Sequence, residues 1–503
     1  MSSISRRDFL NGAAATLATA GVAGAIPLVN PNAATSPKRD ADVLVVGAGL
    51  AGLAAAITAA DAGAKVLLID KHYKIGGAAM GAGGSYSAAG SRLQREKQIQ
   101  DSPALHFEEA NRIGKGKADP AILRLYAEQA PPTQDWLERL GVEFDPKGPR
   151  FAPEHELYKV QRTCDAKGAG PGFIAVLGRQ LDQRITAGAI TMRGETTAVR
   201  LVKREGRVVG LRVLDEEGRT TTLYARAVIL ASGGYGANRT MVRKYNPSLA
   251  NALTVASKYA TGDGIRIAED AGAALVNMDL MAPYFAGVEN PPGSGRTLMI
   301  SLISGIVPAF KGDIWVSKAG TRFMNEDSPS PDARERALRS LPDAVVFALF
   351  DDGMLKAAKP PLFNFDAHLK EGRVIKTASS IAALALQIGV PSHALLKTIE
   401  TYNGYVAGGR DVDFGRNDLF AFNRPPFYAI VASGVIFMTM GGVKTNATLQ
   451  VIGVKGDPIP GLYAAGEVMG AAQWMGDGLI SGAGNGAALV FGRLAGQAAA
   501  VAG

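Results

Sequence analysis

What most limits the fold of this chain is the stretch 41–70. From Val43 it reads VLVVGAGLAGLAAAITAADAGAKVLLID: a short apolar run, a glycine turn, an alanine-rich segment, then a second apolar run ending in an acid. Ala41–Val46 is too short and too β-branched for a helix, and is expected to be a buried parallel strand. Gly47, Gly49 and Gly52 fit G-x-G-x-x-G where that strand gives way to a helix. Gly47 makes the tight turn, Gly49 lets backbone approach a pyrophosphate, and Gly52 lets the helix pack closely on the sheet. The first helical turn, which includes Ala51, offers unpaired N–H groups and a partial positive charge to that pyrophosphate. Asp70 closes the second strand, 65–70, where a carboxylate can accept both hydroxyls of a ribose. Strand, turn, helix, strand and acid in register predict a dinucleotide site.

The chain has 503 residues. That exceeds the limit of roughly 250–300 residues for a single core, so two domains or one heavily elaborated domain are expected. With 47% apolar and 20% charged residues it belongs to the soluble globular class and not to the disordered one. Many of its 61 glycines fall in paired or triplet clusters, which predicts backbone packed against a large ligand. A net charge of +8 favours anionic partners, and a bound dinucleotide accounts for part of it. No basic run is dense enough to predict nucleic-acid binding. Cys164 is the only cysteine, which excludes intramolecular disulfides, a C-x-x-C-H haem attachment and a four-cysteine cluster; no metal site is expected.

Residues 1–35 read as a targeting segment. Ser5-Arg6-Arg7-Asp8-Phe9-Leu10 is a twin-arginine pattern, followed by a weakly apolar alanine/glycine stretch too rich in small residues to anchor in a membrane. The expectation is export of a folded, soluble protein to the periplasm, with no membrane span in the mature chain. Residues 103–140 have helical patterning. Residues 190–200, 208–214 and 220–224 look like antiparallel strands. Residues 227–230 form another buried strand that runs into Ala231-Ser232-Gly233-Gly234-Tyr235, a second place of close backbone approach. YATGDG at 259–264 opens a helix through Ala271, with Asp263 at its N-terminus as a cap or a ligand contact. From 277 to 437 glycine clusters thin out and proline rises, so this segment is expected to be an inserted domain. It divides a nucleotide-binding domain into 38–276 and 438–503, closed by a buried helix over 480–501.

With those pieces placed, the chain resembles the fumarate reductase/succinate dehydrogenase flavoprotein family, including its soluble flavocytochrome c, tricarballylate and 3-ketosteroid dehydrogenase branches. The marks are DVLVVGAGLAGLAAA, IGG at 75–77, ASGGYGAN at 231–238, TGDG at 261–264, GTRFMNE at 320–326, MGGV at 440–443, GLYAAGEVMG at 461–470 and FGRLAG at 491–496. The resemblance implies an α/β fold, a Rossmann-like FAD-binding domain with an inserted α+β capping domain. It also implies FAD and hydride transfer between flavin N5 and a carbon beside a carbonyl or carboxylate. It puts Gly47, Gly49, Ala51 and Gly52 on the pyrophosphate, and Asp70, with Lys71 beside it, on the adenosine ribose. Gly76, Gly77, Ala82, Gly83 and Gly84 would run beside the pyrophosphate and flavin, with Ser232 and Gly233 as a further approach. Val199 would offer backbone to the adenine, and Asp263 would sit near the isoalloxazine. Gly466 and Glu467 would hold the ribitol or ribose, and Leu479 and Ser481 the flavin's pyrimidine edge. Tyr86-Ser87 stand where some members have a flavin-linked histidine, so FAD is expected to be non-covalent.

The catalytic pattern departs more. Counting from Arg322, the family's proton-donating arginine falls at Ser330. Its two substrate histidines fall at or next to Tyr284 and at Met438, and its carboxylate-clamping arginine falls at Leu479. None of His72, His106, His155, His368 and His393 matches a catalytic position, and each is expected to be a surface or structural histidine. Tyr284, Arg296, Lys311, Ser330, Asp332 and Arg334 remain as polar candidates. Tyr284 reads either as a proton carrier or as a packed tyrosine, Arg334 either as a proton donor or as a solvent-exposed helix residue. Trp474 and Phe437 would make the pocket apolar. Reducing a C–C double bond needs a hydride on one carbon, a proton on its neighbour and stabilisation of the enolate. The expectation is an oxidoreductase for a small molecule with an activated C–C bond. It would exchange electrons with a separate cytochrome, quinone or oxygen. A cyclic-ketone or 3-ketosteroid dehydrogenase and a non-catalytic flavin carrier are the alternatives.

Overall fold

The computed structural model describes residues 38–152, 155–297, 312–357 and 365–502, and of 283–286 the backbone alone. The twin-arginine segment and Lys311 therefore lie outside the described residues, as does the side chain of Tyr284. Residues 39–503 form one compact unit.

The strand β1 (Ala41–Val46) runs parallel to β2 (Val66–Ile69), with the helix α1 (Leu50–Asp61) crossing between them. Both strands are buried on both faces, as an unbroken apolar run in a parallel sheet requires. The sheet continues on one side through Ile190–Arg193, parallel to β2. On the other side it continues through Thr220–Leu230, Pro458–Ala464 and Gln450–Ile452. The closing helix, Ala483–Val501, lies along α1. Its small residues permit that approach: a Cβ on Gly492 would come within 2.2 Å of the Ala51 carbonyl oxygen, and one on Gly496 within 2.3 Å of Ala55's.

Two local expectations are corrected, and the helical patterning of 103–140 is resolved into its parts. Residues 190–200 are not one antiparallel strand: Gly194–Thr196 interrupts them, with Glu195 at φ 49°. Ile190–Arg193 joins the parallel sheet, whereas Thr197–Arg204 forms an antiparallel hairpin with Arg207–Leu214. Residues 220–224 and 227–230 are a single strand, Thr220–Leu230. Its first half pairs with that hairpin, and its second half is embedded beside β1. Residues 103–140 form two helices, Pro103–Ile113 and Pro120–Leu140, each opened by a proline behind a capping Ser102 or Asp119.

A second, separate sheet is mainly antiparallel. It runs Met281–Gly287, Phe427–Thr439, Val345–Asp351, Ile314–Ser317, and has its own core around Trp315, Phe350, Tyr402 and Ile430. The Arg-Phe-Met-Asn-Glu stretch serves this core. Arg322 binds Glu326 at 2.6 Å and Asp411 at 2.9 Å, all three buried, and Arg416 binds Asp327 at 2.8 Å. Pairing and multiple hydrogen bonds are what make buried charges tolerable. Phe427–Thr439 is the element that matters for the site, because its C-terminal end, still paired with Met281–Gly287, lines the large cavity described next.

Candidate functional site

A cavity of about 610 Å³ runs along the C-terminal ends of β1 and β2, where open α/β sheets bind ligands. One end is backbone. Gly47, Gly49, Ala51, Gly77, Ala82 and Gly83 line it, at the N-terminus of α1. Gly47 adopts φ 109°, and a Cβ there would lie 2.4 Å from the Ala231 carbonyl oxygen. Gly52 is packed beneath: a Cβ would lie 1.7 Å from the Gly47 carbonyl oxygen, so it shapes the turn without lining the cavity. Asp70 stands at this end and accepts hydrogen bonds from the Ala48 and His72 N–H groups, both at 2.7 Å. A carboxylate has about four acceptor sites, so capacity remains for two hydroxyls.

Lys71 lines the same end and pairs with Asp263 at 2.6 Å, while also donating to Thr261. Asp263 therefore belongs with Lys71, one residue after Asp70, and is the first-turn acid of the helix Asp263–Asp270. Ser232, Gly233 and Gly466 line the cavity as expected, and so does Glu467. Desolvation pushes Glu467 up, against the hydrogen bonds that it accepts from Thr439 N–H (2.8 Å) and Oγ1 (2.7 Å). Gly234 makes room for that carboxylate, since a Cβ would lie 2.5 Å from it.

Besides Gly52, four expected cofactor residues do not line the cavity. Gly76 lies behind Met80, and Gly84 is pressed against Ala169. Val199 is on the exposed side of its strand, while Thr196 and Ala198 reach the cavity instead. Ser481 is buried, its hydroxyl near Thr163 and its carbonyl accepting from Ser87.

The far end is apolar. Phe437, Met438, Trp474, Met475, Leu479 and Ile480 wall it. Trp474 is fixed by donating Nε1–H to the Ala483 carbonyl at 3.1 Å and by an edge contact with Phe491. His155, expected to be a surface or structural histidine, lines this cavity, its ring centroid 6.0 Å from that of Phe437. Nothing in the local sequence signals it, because it arrives on a loop between the helix Pro120–Leu140 and the strand Thr163–Asp165. His106 is a core histidine, which burial pushes down to about 3 and which meets the Tyr158 hydroxyl at 3.0 Å.

Ser330 and Arg334 do not line the cavity. Ser330 caps the helix Pro331–Arg339, accepting from Ala333 N–H, and donates its hydroxyl to Glu156 at 2.7 Å. Arg334 is buried, not solvent-exposed, and donates to the Ser328 carbonyl. The same helix faces a cluster missed from sequence: Asp477, from the loop before Leu479, meets Lys117 at 3.0 Å, Arg336 at 3.0 Å and Arg339 at 2.9 Å. Burial would raise Asp477, but its hydrogen bonds from Arg336, Lys117 and Arg339 outweigh that and hold it at about 2. Among the described residues no helix is long and apolar enough to cross a membrane.

The residues present fit a flavin dinucleotide: a glycine cradle that a Cβ would fill, a helix N-terminus, an acid with spare acceptor capacity and an apolar end. Comparison with known proteins agrees. The FAD binding domain family matches residues 42–486. The chain is 34% identical over 472 residues to the fumarate reductase (cytochrome) of Shewanella frigidimarina, covering 93% of this chain and 78% of that one. It is 32% identical over 478 residues to the urocanate reductase of Eggerthella lenta, covering 93% and 76%. Its fold matches 3-ketosteroid Δ1-dehydrogenase from Sterolibacterium denitrificans with a TM-score of 0.74 over 92% of this chain and 100% of that one, at 22% identity. The chain belongs to the fumarate reductase/succinate dehydrogenase flavoprotein family, and is an FAD-dependent oxidoreductase.

Proposed function

We propose that this protein reduces a C–C double bond next to a carbonyl or carboxylate, on a substrate bulkier and less charged than a C4 dicarboxylate. The observation that carries this reading is the apolar end of the cavity. Met438 and Leu479 stand there where the resemblance has a histidine and a carboxylate-clamping arginine, and Phe437 and Trp474 add aromatic area. Burying a second carboxylate against that wall without a partner would be strongly unfavourable. The similar fumarate and urocanate reductases support double-bond chemistry.

Bound non-covalently, FAD supplies the hydride-transferring centre. Gly47, Gly49, Ala51 and Gly77 would meet its pyrophosphate, Asp70 its adenosine ribose, and Glu467 its ribitol or ribose. Trp474, Phe437 and Leu479 would exclude water beside the reactive ring. Residues 38–276 and 438–503 would carry the cofactor and 277–437 the cap. The twin-arginine pattern supports export before function, with electrons arriving from a separate cytochrome or quinone. A second reading, a cyclic-ketone dehydrogenase, is favoured by the same apolar wall.

The test is anaerobic mixing of dithionite-reduced holoprotein with aryl enoates, fumarate and cyclic enones, followed by flavin absorbance. The reading expects rapid reoxidation by a bulky monocarboxylate enoate and slow reoxidation by fumarate. Reoxidation by cyclic enones alone favours the second reading. A flavin that stays reduced with every compound leaves a flavin carrier without double-bond chemistry.

A further inference from the structure

We propose that His155 is the proton-donating residue at the apolar end of the cavity, an inference that rests on the double-bond chemistry proposed above. The ionisable groups lining the cavity divide by position. Asp70, Lys71, His72 and Lys74 follow directly on β2, at the glycine end. Asp263 is tied to Lys71 at 2.6 Å, and Tyr259 packs on His72 with ring centroids 4.6 Å apart, so both belong to that end too. Glu467 directs its Oε1 at Thr439 N–H and Oγ1. His155 is the lining residue with an exchangeable proton that packs against the Phe437 ring.

The loop that carries His155 is held from two sides. Its neighbour Glu156 accepts the Ser330 hydroxyl at 2.7 Å, which ties it to the start of the helix Pro331–Arg339. On the other side, Tyr158 is buried against His106 at 3.0 Å, and Lys159 N–H donates to Glu109 at 3.0 Å. A half-buried histidine lining an apolar part of the cavity, on a loop held between two elements, suits a general acid, because imidazolium gives up a proton near neutral pH. In the step, the substrate's π bond is replaced by two C–H bonds. The carbon distal to the carbonyl or carboxylate gains a hydride from the reduced flavin, which is oxidised by two electrons. The adjacent carbon gains the proton from the His155 ring N–H, and the imidazole is reprotonated from water.

His155→Asn and His155→Gln, each compared with wild type as flavin-loaded protein, test this. The measurement is the anaerobic reoxidation rate of dithionite-reduced flavin at saturating aryl enoate, together with the substrate concentration at half-maximal rate. The proposal expects the saturating rate to fall about 100-fold or more in both variants, with little change in half-saturation and with flavin retained. A saturating rate within a few-fold of wild type in a flavin-retaining variant overturns it, as does an effect confined to half-saturation. Loss of flavin from both variants marks His155 as structural and overturns it equally. If wild-type flavin is reoxidised by none of the compounds, the double-bond reading itself has failed. A wild type that responds alongside variants that respond as well removes His155 alone.

Discussion

The two ends of the cavity are built by different means. At the glycine end the ligand-facing surface is mostly backbone, supplied by a few glycine-rich turns at 47–51, 77–83 and 231–234. At the apolar end it is side chains, delivered by segments far apart in sequence: His155 from a loop, Phe437 and Met438 from the end of a cap strand, Trp474 and Leu479 from the approach to the closing helix. A backbone surface constrains residue type through sterics, so it tolerates almost no variation. A side-chain surface can be rebuilt for another substrate by changing single residues at distant positions, while the fold stays the same.

The largest expected effect strikes the backbone end. Gly52→Ala places a Cβ 1.7 Å from the Gly47 carbonyl oxygen, and the clash is with backbone that has nowhere to move. Overpacking of this kind costs about 1–3 kcal/mol or more. It should also displace the turn that meets the pyrophosphate. The purified variant should carry little flavin, measured as bound FAD per chain. Full flavin content in this variant would break the contrast between the two ends.

Next is the link between the cap helix and the loop before Leu479. Asp477→Asn leaves Lys117, Arg336 and Arg339 without their shared carboxylate. The expected destabilisation is about 1–3 kcal/mol, below that of a fully buried pair because the cations are partly exposed. A thermal melt of the holoprotein checks it, and the shift should shrink in high salt.

The pH dependence of stability separates the core beneath the site from the site itself. His106 is depressed to about 3 from an ordinary 6.5, so the unfolded chain takes up a proton that the folded one refuses. Its contribution is fully present above pH 6.5 and is lost as pH falls toward 3. The slope is about 1.4 kcal/mol per pH unit in that window. Asp477, depressed to about 2 from 3.8, has the same sign but acts only below about pH 4. Denaturant melts between pH 7 and 4 should steepen through the first window in wild type and flatten in His106→Asn.

The smallest effect sharpens the contrast most. Ser330→Ala removes a helix cap, worth about 1 kcal/mol, and the hydroxyl bonded to Glu156. The saturating reoxidation rate should change by only a few-fold. A loss near 100-fold would move the proton-donating role from the loop of His155 to Ser330.

The same contrast explains what could be read from the sequence. The run from Ala41 to Asp70 was legible because strand, turn, helix and acid are consecutive and each residue type answers a local demand. Glu467 and Ser232-Gly233 were legible through motifs of the same kind. Asp263 was legible as an acid at a helix N-terminus, but its ion pair with Lys71, 192 residues away, was not. Which residues of Thr197–Arg204 turn their side chains inward was not read: alternation points Ala198 inward and Val199 outward. His155 had no signal at all: its loop has no periodicity, and its approach to Phe437 is set by contacts with Ser330 and Glu109 that only the tertiary fold creates. Asp477 was not read as the partner of Arg336 and Arg339, which stand 141 and 138 residues earlier on one helix.

The central claim is that FAD lies with its adenosine at Asp70 and its reactive ring between Met438, Trp474 and His155. A crystal structure of the flavin-loaded protein tests it most directly. The account predicts ribose hydroxyls within hydrogen-bond distance of the Asp70 carboxylate and the isoalloxazine in van der Waals contact with the apolar wall. An isoalloxazine lodged instead beside Lys71 and Asp263, or a chain that takes up no flavin at all, would contradict it.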